Sequence, residues 1–469
     1  MFGQLGVFYL SQEKDVVIIG CGAAGGTAAQ FARKTDRKSS ITIFEKGKYP
    51  QYSKCGLPYA ISGDVHNLDD LVEFSGDWFK NAKIDLLLNT TVEKIDVDNQ
   101  IVIAKKNNGS IEKSYTSLII ATGAKPYIPP IKNIYDRNKL TKSVFVLRTI
   151  DDAKLISSTI EKDKNAVIIG AGFIGLEMAD ALYKKEMNVS IIEALPWILP
   201  NTFDEDMANI VYDGLPKNVD IFTDYIVTRV ENKSNRIYRL FLKNNKTNEE
   251  KELFSDLLVI GTGCKSDSSL AQKAGCKIGR LRHIIVNNKC ETSVKNIYAI
   301  GDCTEYKDFV TKKQVPIGLG SIAVRQGITA GINAAGGNYC LPDGVLQTCT
   351  SEFFGTEIAA VGPSNDILKK MSVVSGKFTG YSRAGYFPGG KKITIKVFAN
   401  KKTGKIVAAQ AIGDKAAKRI NMFACAILAD MDVDTFKKLE TTYAPPIAPT
   451  LDVETLVCDI VSMKINRGR

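Results

Sequence analysis

One cysteine, Cys55, stands in a setting suited to redox chemistry. It lies in the run Tyr-Ser-Lys-Cys-Gly-Leu-Pro-Tyr at residues 52–59, between two glycine-rich turns at residues 20–25 and 170–175. A thiolate is the form of cysteine that attacks disulfides. Two nucleotide turns and one placed thiol therefore indicate electron transfer from a nicotinamide to a flavin, and from the flavin to a single sulfur at Cys55.

The first turn has the surroundings of a dinucleotide site. Strand, helix and strand are predicted at residues 15–19, 24–34 and 41–44. In such a unit the glycines let the backbone approach a pyrophosphate at the helix N-terminus, and an acid at the end of the second strand accepts ribose hydroxyls. The predicted ligands are Gly20, Gly22, Gly25 and Glu45.

The second turn repeats this unit. Strand, helix and strand are predicted at residues 165–169, 174–185 and 189–192. The strand ends at Glu193, and an acid there favours the free 2′-hydroxyl of NADH over NADPH, which prefers a nearby arginine. The predicted ligands are Gly170, Gly172, Gly175 and Glu193.

Three further strands lead into glycines that fit the same scheme. They are predicted at residues 118–120, 257–260 and 297–300. The last is followed by Gly301 and Asp302, where the start of a helix and an acid suit a ribityl hydroxyl or a phosphate-bound water. Thr122, Gly123 and Gly261 complete the predicted cofactor ligands.

Composition excludes several classes of protein. The net charge of +11 is explained either by a lysine-rich solvated surface or by attraction of a polyanionic substrate, and no nucleic-acid-binding signature is present. No apolar stretch approaches the ~18 residues that a membrane-spanning helix needs. Residues 1–14 lack the basic start of a secretory signal and are expected to form a short extension, so a soluble, cytoplasmic protein is expected.

The cysteines and histidines argue against a metal site. The 10 cysteines form no C-x-x-C pair, and the chain has only 2 histidines, His66 and His283. This pattern also argues against a secreted disulfide framework. The nine cysteines other than Cys55 are expected to be buried and inert.

The order of these motifs resembles the flavoprotein pyridine nucleotide-disulfide oxidoreductases, over residues 15–460. The segment 55–59 resembles the single-cysteine branch, which includes reductases of coenzyme A disulfide, of sulfur or polysulfide, and NADH oxidases and peroxidases. The dithiol branch has a second cysteine where Ala60 stands, and a histidine after position 283 that this chain lacks. Oxidases and peroxidases carry a histidine at the position of Ala23, and this difference favours the reductases.

The resemblance implies an α/β fold of two Rossmann-like dinucleotide-binding domains and a C-terminal α+β dimerisation domain. FAD binding is expected in residues 1–150 and 264–339, NAD(P)H binding in residues 151–263, and dimerisation in residues 340–469. Strands at 393–398 and 406–412 and a helix at 416–428 are predicted in the last domain. FAD and either NADH or NADPH are the implied cofactors.

The resemblance also assigns roles to single residues. Tyr443 and Tyr386 would reach the partner subunit's active-site sulfur in a homodimer, with Tyr443 as the proton donor; packing at a dimer interface is the alternative. Glu177 would hold the nicotinamide amide, and Arg33 would bind substrate phosphates. Cys55 would carry coenzyme A as a mixed disulfide, and the N-terminus of the helix after it is expected to lower its pKa.

The expected activity is reduction of coenzyme A disulfide, or of a coenzyme A persulfide, by NAD(P)H. Reduction of sulfur or polysulfide through the same Cys55 is the first alternative, and NADH oxidase activity is the next. A flavin-binding protein without turnover is the alternative from a different class. One thiol serves several acceptors, so the residues leave the physiological acceptor open.

Overall fold

The structure is a computed structural model that describes residues 14–107, 109–233 and 236–467. Of the predicted N-terminal extension, residues 1–13 lie outside the described residues. Among the residues described, no helix has the length and apolarity that a bilayer crossing requires.

The first nucleotide domain is built on a parallel sheet of five strands. In spatial order they are Ile297–Ala299, Ser117–Ile120, Asp15–Ile19, Ser40–Phe44 and Asp85–Leu87. Their runs of Val and Ile are buried almost throughout, as expected when helices cover both faces of a parallel sheet. Because the strand at 297–299 pairs with the strand at 117–120, the chain returns to this sheet after building the second domain.

Two helices of the first domain, Ala23–Thr35 and Gly320–Ala334, pack at very short range. A Cβ atom added to Gly327 would lie 2.5 Å from the Ala24 carbonyl oxygen, and one on Gly331 would lie 2.3 Å from that of Ala28. Only glycine permits this approach, so these two positions fix how the helices cross.

The second nucleotide domain repeats the parallel sheet. Its strands, in spatial order, are Val144–Val146, Leu257–Ile260, Asn165–Ile169, Asn188–Ile192 and Asp220–Phe222. The helix Phe173–Lys184 follows the central strand. The two domains are joined where Ala124–Pro126 pairs with Cys264–Ser266 in an antiparallel ribbon.

Each nucleotide domain also carries a three-stranded antiparallel sheet. The strands are Thr90–Asp96, Ile101–Lys106 and Gly109–Ser114 in the first domain, and Tyr225–Lys233, Arg236–Asn244 and Glu250–Phe254 in the second.

The C-terminal domain is an antiparallel sheet of five strands with helices packed on it. The strands, in spatial order, are Cys349–Phe353, Thr356–Val361, Ile406–Gly413, Lys392–Asn400 and Val373–Tyr381. The helices Ala416–Leu428 and Val453–Arg467 bury apolar side chains against it. The predicted fold class is therefore confirmed, whereas the domain boundaries stay predictions.

The remaining elements are short. The helices are Leu57–Ser62, Gly76–Asn81, Ile150–Ser157, Glu205–Asp213, Ser269–Lys273, Asn365–Leu368 and Val433–Phe436, with 3₁₀ turns at Leu68–Leu71 and Gly301–Cys303. The strands are Tyr135–Asp136, Lys139–Leu140, Ile284–Ile285, Thr304–Lys307 and Gln314–Pro316.

The helix expected to begin at Gly301 is a single 3₁₀ turn. The strand Thr304–Lys307 follows it directly, and the long helix of this region starts only at Gly320. Thr304 and Tyr306 are residue types that favour strands, and both are buried in the strand that they form. The helix prediction at this point was wrong.

Candidate active site between the nucleotide domains

The first glycine turn has the geometry of a pyrophosphate cradle. Gly20 has a φ of +104°, and a Cβ added to Gly25 would lie 1.9 Å from the Gly20 carbonyl oxygen. The Glu45 carboxylate accepts hydrogen bonds from the backbone N–H groups of Cys21 and Gly47, both at 2.7 Å. Strand, turn and acid are therefore held as one unit, and space is left beside Gly22.

The second turn has the same glycine contact and the same hydrogen bonds to its acid as the first. A Cβ on Gly175 would lie 1.9 Å from the Gly170 carbonyl oxygen, and nothing lies within 4 Å of such an atom on Gly172. Glu193 accepts hydrogen bonds from the Ala171 N–H at 2.7 Å and the Leu195 N–H at 2.9 Å. The sequence-predicted ligands of both turns are thus brought together in two matching constellations.

The other predicted cofactor residues have partners within the protein. The Thr122 hydroxyl donates to the Asp267 carbonyl at 2.6 Å, which ties the first domain to the joining ribbon. The Gly301 N–H donates to the fully buried Gln326 side chain at 2.7 Å. A Cβ on Gly261 would lie 3.3 Å from Gly175, so Gly261 lets the strand pass the second turn.

Asp302 forms an ion pair that the sequence analysis did not anticipate. Its carboxylate accepts a hydrogen bond of 2.8 Å from the Arg148 guanidinium, and both side chains are largely shielded from solvent. The same guanidinium lies 3.4 Å from the position of a Cβ on Gly123. Arg148 follows the strand Val144–Val146 in no recognisable motif, so only the fold reveals its place.

Cys55 lies in the loop before the helix Leu57–Ser62 and is accessible to solvent. Gly56 is the N-cap of this helix and packs so closely on Leu71 that a Cβ would lie 2.4 Å from a Leu71 methyl group. The Cys55 sulfur lies 3.9 Å from the position of a Cβ on Gly320, where the long second helix of the first domain begins. The thiol is therefore held at the junction of two helix starts.

The surroundings of Cys55 raise the pKa of its thiol. Burial among protein atoms is the largest cause, and the carboxylates of Glu177 and Asp302 add to it, while the cations Arg148 and Lys54 oppose it. The expected lowering of this pKa was wrong. The helix after Cys55 has only 6 residues, and the rise in pKa comes from desolvation and from two carboxylates.

Glu177 receives a hydrogen bond from another domain. The hydroxyl of Ser351, on the first strand of the C-terminal sheet, donates to the Glu177 carboxylate at 2.5 Å. Burial raises the pKa of Glu177, and this hydrogen bond opposes the rise. Burial also raises the pKa of Tyr59, with a contribution from Glu177. Glu177, Ser351 and Tyr59 therefore form one polar cluster beside Cys55, and no sequence motif marks Ser351.

The two candidate tyrosines lie together. The hydroxyls of Tyr386 and Tyr443 are 2.9 Å apart, and the side chains are 75% and 47% exposed. The hydrogen bond to Tyr443 raises the pKa of Tyr386. They belong to an exposed set of large apolar side chains on the C-terminal domain: Tyr381, Tyr386, Leu428, Leu439, Tyr443, Ile447, Leu451 and Met463.

Arg33 has a different environment from the one expected. Its guanidinium donates to four backbone carbonyls, those of Ala82, Asp36, Arg37 and Lys83, at 2.7 to 3.3 Å. These bonds close the C-terminus of its helix against the loop at residues 82–83. A substrate role for Arg33 stays a prediction, and a substrate phosphate would have to compete with these contacts.

The expectation that nine cysteines are buried was wrong. Cys264, Cys340 and Cys425 are exposed, and Cys349 is partly exposed. Cys264 lies on the joining ribbon, where partial desolvation by neighbouring protein atoms raises the pKa of its exposed thiol and Arg148 opposes this. Among the described residues, no cluster of His, Cys, Asp and Glu could hold a metal ion.

Residues 14–327 match the pyridine nucleotide-disulphide oxidoreductase family, and residues 348–454 match the dimerisation domain of the same family. The chain belongs to this family. The expected resemblance is confirmed, and so are the oxidoreductase class and the dependence on FAD and NAD(P)H. Both glycine turns fit these cofactors, since each leaves open the space that a side chain would otherwise fill.

Two relatives match nearly the whole chain. A protein of Methanocaldococcus jannaschii named NADH oxidase is 36% identical, over 96% of this chain and 99% of its own length. A protein of Pyrococcus abyssi named NAD(P)H sulfur oxidoreductase (CoA-dependent) is 32% identical, over 94% of this chain and 96% of its own length.

Two solved structures are similar over 97% of this chain. The NAD-dependent persulfide reductase from A. fulgidus has a TM-score of 0.91 and 34% identity, with 84% of its chain covered. The reduced CoADR-RHD of Bacillus anthracis has a TM-score of 0.90 and 30% identity, with 81% covered. These names include an NADH oxidase and reductases of sulfur and persulfide, so they do not agree on one electron acceptor for this chain.

Proposed function

We propose that the protein uses NAD(P)H to reduce coenzyme A disulfide, or a coenzyme A persulfide, through Cys55. In the first case NAD(P)H, a proton and the disulfide give NAD(P)⁺ and two coenzyme A thiols. In the second, the products beside NAD(P)⁺ are one coenzyme A thiol and hydrogen sulfide. The observation that carries the proposal is the solvent-accessible Cys55 thiol between the cations Arg148 and Lys54 and the carboxylates Glu177 and Asp302.

The two turns take different cofactors in this proposal. Gly20, Gly22, Gly25 and Glu45, with Thr122, Gly123, Gly301 and Asp302, would hold FAD. Gly170, Gly172, Gly175, Glu193 and Gly261 would hold NAD(P)H, and Glu177 would hold the nicotinamide amide. FAD would supply the two-electron chemistry between NAD(P)H and the sulfur of Cys55.

Cys55 alternates between a mixed disulfide with coenzyme A and a free thiolate. Two electrons break the mixed disulfide and give the Cys55 thiolate and one coenzyme A thiolate. The Cys55 thiolate then attacks the next coenzyme A disulfide, forms a new mixed disulfide and displaces a second thiolate. Arg148 and Lys54 stabilise the negative charge of the thiolate between these steps, since both lower the pKa of Cys55.

The leaving thiolate needs a proton, and Tyr443 is the proposed donor. In a homodimer, Tyr443 and Tyr386 of one chain would face Cys55 of the other. Their contact at 2.9 Å supports a shared role, because Tyr386 can orient the Tyr443 hydroxyl. Their exposure beside other large apolar side chains is typical of a surface that a second copy covers.

Reduction of sulfur or polysulfide is the second candidate. The name of the P. abyssi relative, an NAD(P)H sulfur oxidoreductase, favours it. Oxygen is a weaker candidate despite the name of the M. jannaschii relative, because Ala23 has no proton to give to a peroxide.

The first experiment is NADH consumption without oxygen, with coenzyme A disulfide as sole acceptor. We expect rapid turnover that is lost in Cys55→Ser and kept in Cys340→Ser, a matched control at another exposed cysteine. Turnover with polysulfide but not with coenzyme A disulfide would favour the second candidate. Turnover with any of these acceptors that survives Cys55→Ser would contradict the proposal.

A further inference from the structure

The two glycine turns differ in what lies next to their second glycine, a difference that their sequences do not show. At Gly172 of the second turn, nothing lies within 4 Å of the position of an added Cβ. At Gly22 of the first turn, one atom does: the Nζ of Lys54, at 4.0 Å. This second glycine of the fingerprint faces the pyrophosphate, so a side-chain ammonium shares that space at the first turn only.

Lys54 has no hydrogen-bond or ion-pair partner among the residues described. Protein atoms around its ammonium lower the pKa of Lys54 by partial desolvation, Arg148 adds to this through repulsion, and the nearby carboxylates of Glu45 and Asp302 oppose it. The side chain remains exposed to solvent, so its ammonium can pair with an anion that binds beside Gly22.

We propose that Lys54 binds the pyrophosphate of FAD and thereby makes the first cofactor site the tight one. At both turns the backbone N–H groups at the helix N-terminus face the cofactor phosphates. Among the described residues, an ammonium lies within 4 Å of the added Cβ at the second glycine of the first turn, and nothing lies that close at the second turn. The added charge suits a cofactor that stays bound through many turnovers, whereas a nicotinamide must leave after each one.

The position of Lys54 gives this contact a second effect. Lys54 immediately precedes Cys55 in the chain, so an ion pair with the cofactor would fix the backbone beside the thiol. Bound FAD and the placement of Cys55 are then coupled through one residue. This inference rests on the proposed assignment of FAD to the first turn, and it is independent of which acceptor Cys55 serves.

The test measures how firmly the purified holoenzyme retains FAD, without NADH or any acceptor. Free FAD is measured by its fluorescence after dilution and ultrafiltration at graded NaCl concentrations. We expect Lys54→Met to raise the FAD dissociation constant at least about tenfold, which corresponds to the loss of one charge-assisted hydrogen bond. Lys54→Arg should retain FAD nearly as the wild type does, because it keeps the charge.

Two controls make the outcome decisive. Lys105→Met removes an equal charge from an exposed site on an outlying strand and should leave FAD retention unchanged. Wild-type retention should weaken as salt rises, and that dependence should be smaller in Lys54→Met. If Lys54→Met is poorly folded, Lys54→Gln replaces it. Retention and salt dependence equal to the wild type in a folded neutral variant would overturn the proposal, whatever the activity with coenzyme A disulfide.

Discussion

At the scale of single residues, the protein opposes rather than assists ionisation of its key thiol. Burial and the carboxylates of Glu177 and Asp302 raise the pKa of Cys55, and Arg148 and Lys54 offset part of this rise. A raised pKa leaves less thiolate at neutral pH, and the higher intrinsic nucleophilicity of that thiolate makes up for only part of the difference. Desolvation together with these four charges sets how much thiolate exists at a given pH.

Glu177→Gln should lower the pKa of Cys55 and speed its alkylation. The carboxylate disfavours a nearby thiolate, and its removal shifts the midpoint of thiol ionisation to lower pH. At any pH below the wild-type midpoint, a larger fraction of Cys55 is then ionised. The measurement is the pH profile of iodoacetamide labelling of Cys55 in the reduced holoenzyme, read by peptide mass spectrometry.

Glu352→Gln is the matched control for this change. Glu352 contributes to the raised pKa of Tyr59 but is not among the charges that act on Cys55. Its removal should leave the labelling profile in place. An unchanged midpoint in Glu177→Gln would mean that the Glu177 carboxylate does not act on the Cys55 thiol.

At the scale of elements, the two strand–turn–helix units have the same geometry but different neighbouring residues. In each, the third glycine lies against the carbonyl of the first, with 1.9 Å between that oxygen and an added Cβ. A methyl group there must push the helix away from its strand. The consequences should follow the cofactor that each unit holds.

Gly25→Ala should impair FAD binding, and Gly175→Ala should impair NAD(P)H binding with FAD retained. Forcing a methyl group into such a contact costs roughly 1–3 kcal/mol, enough to weaken the affected site about fivefold to a hundredfold or more. The measurements are FAD content of the purified variants and the NADH dependence of flavin bleaching under argon.

Gly76→Ala serves as the control for these substitutions. Gly76 lies in a short helix with nothing within 4 Å of an added Cβ, so both sites should be unaffected. Loss of NAD(P)H affinity in Gly25→Ala with full FAD content would reverse the proposed assignment of the two turns.

At the scale of the whole molecule, the proposed site is assembled from two chains. Cys55 belongs to the nucleotide domains, whereas Tyr386 and Tyr443 lie on the exposed surface of the C-terminal domain. The match of residues 348–454 to the family's dimerisation domain supports a homodimer. A twofold axis would then place the tyrosines of each chain at the thiol of the other.

Mixing inactive variants should restore activity if the chains share their sites. Cys55→Ser and Tyr443→Phe should each turn over coenzyme A disulfide slowly, the latter with unimpaired reduction of FAD by NADH. A mixed dimer holds one intact site, with Cys55 from one chain and Tyr443 from the other. After random exchange of equal amounts, roughly one quarter of wild-type activity should return, because half of the dimers are mixed.

The readout is the steady-state rate after partial unfolding and refolding of the mixture. Each variant refolded alone is the control for spontaneous recovery. No gain over the average of the two variants would place Cys55 and Tyr443 in separate sites or within one chain.

The sequence by itself determined the parts of this protein that depend on local patterns. Runs of Val and Ile ending in glycine turns predicted both parallel sheets, because glycines at fixed spacing have few other structural uses. The acids Glu45 and Glu193 and the run around Cys55 were found in the same way. The single-cysteine branch followed from Ala60 and the missing C-terminal histidine, and Ala23 favoured the reductases within that branch.

The tertiary structure alone decided what surrounds those motifs. Arg148 pairs with Asp302, which lies 154 positions further along the chain, and Ser351 donates to Glu177, 174 positions earlier. No local sequence pattern predicts either pair. The pKa of Cys55 was mispredicted for the same reason, since its helix was visible in the sequence but the opposing carboxylates were not. Charges act through space, so their sum at one sulfur is fixed only when distant segments are folded together.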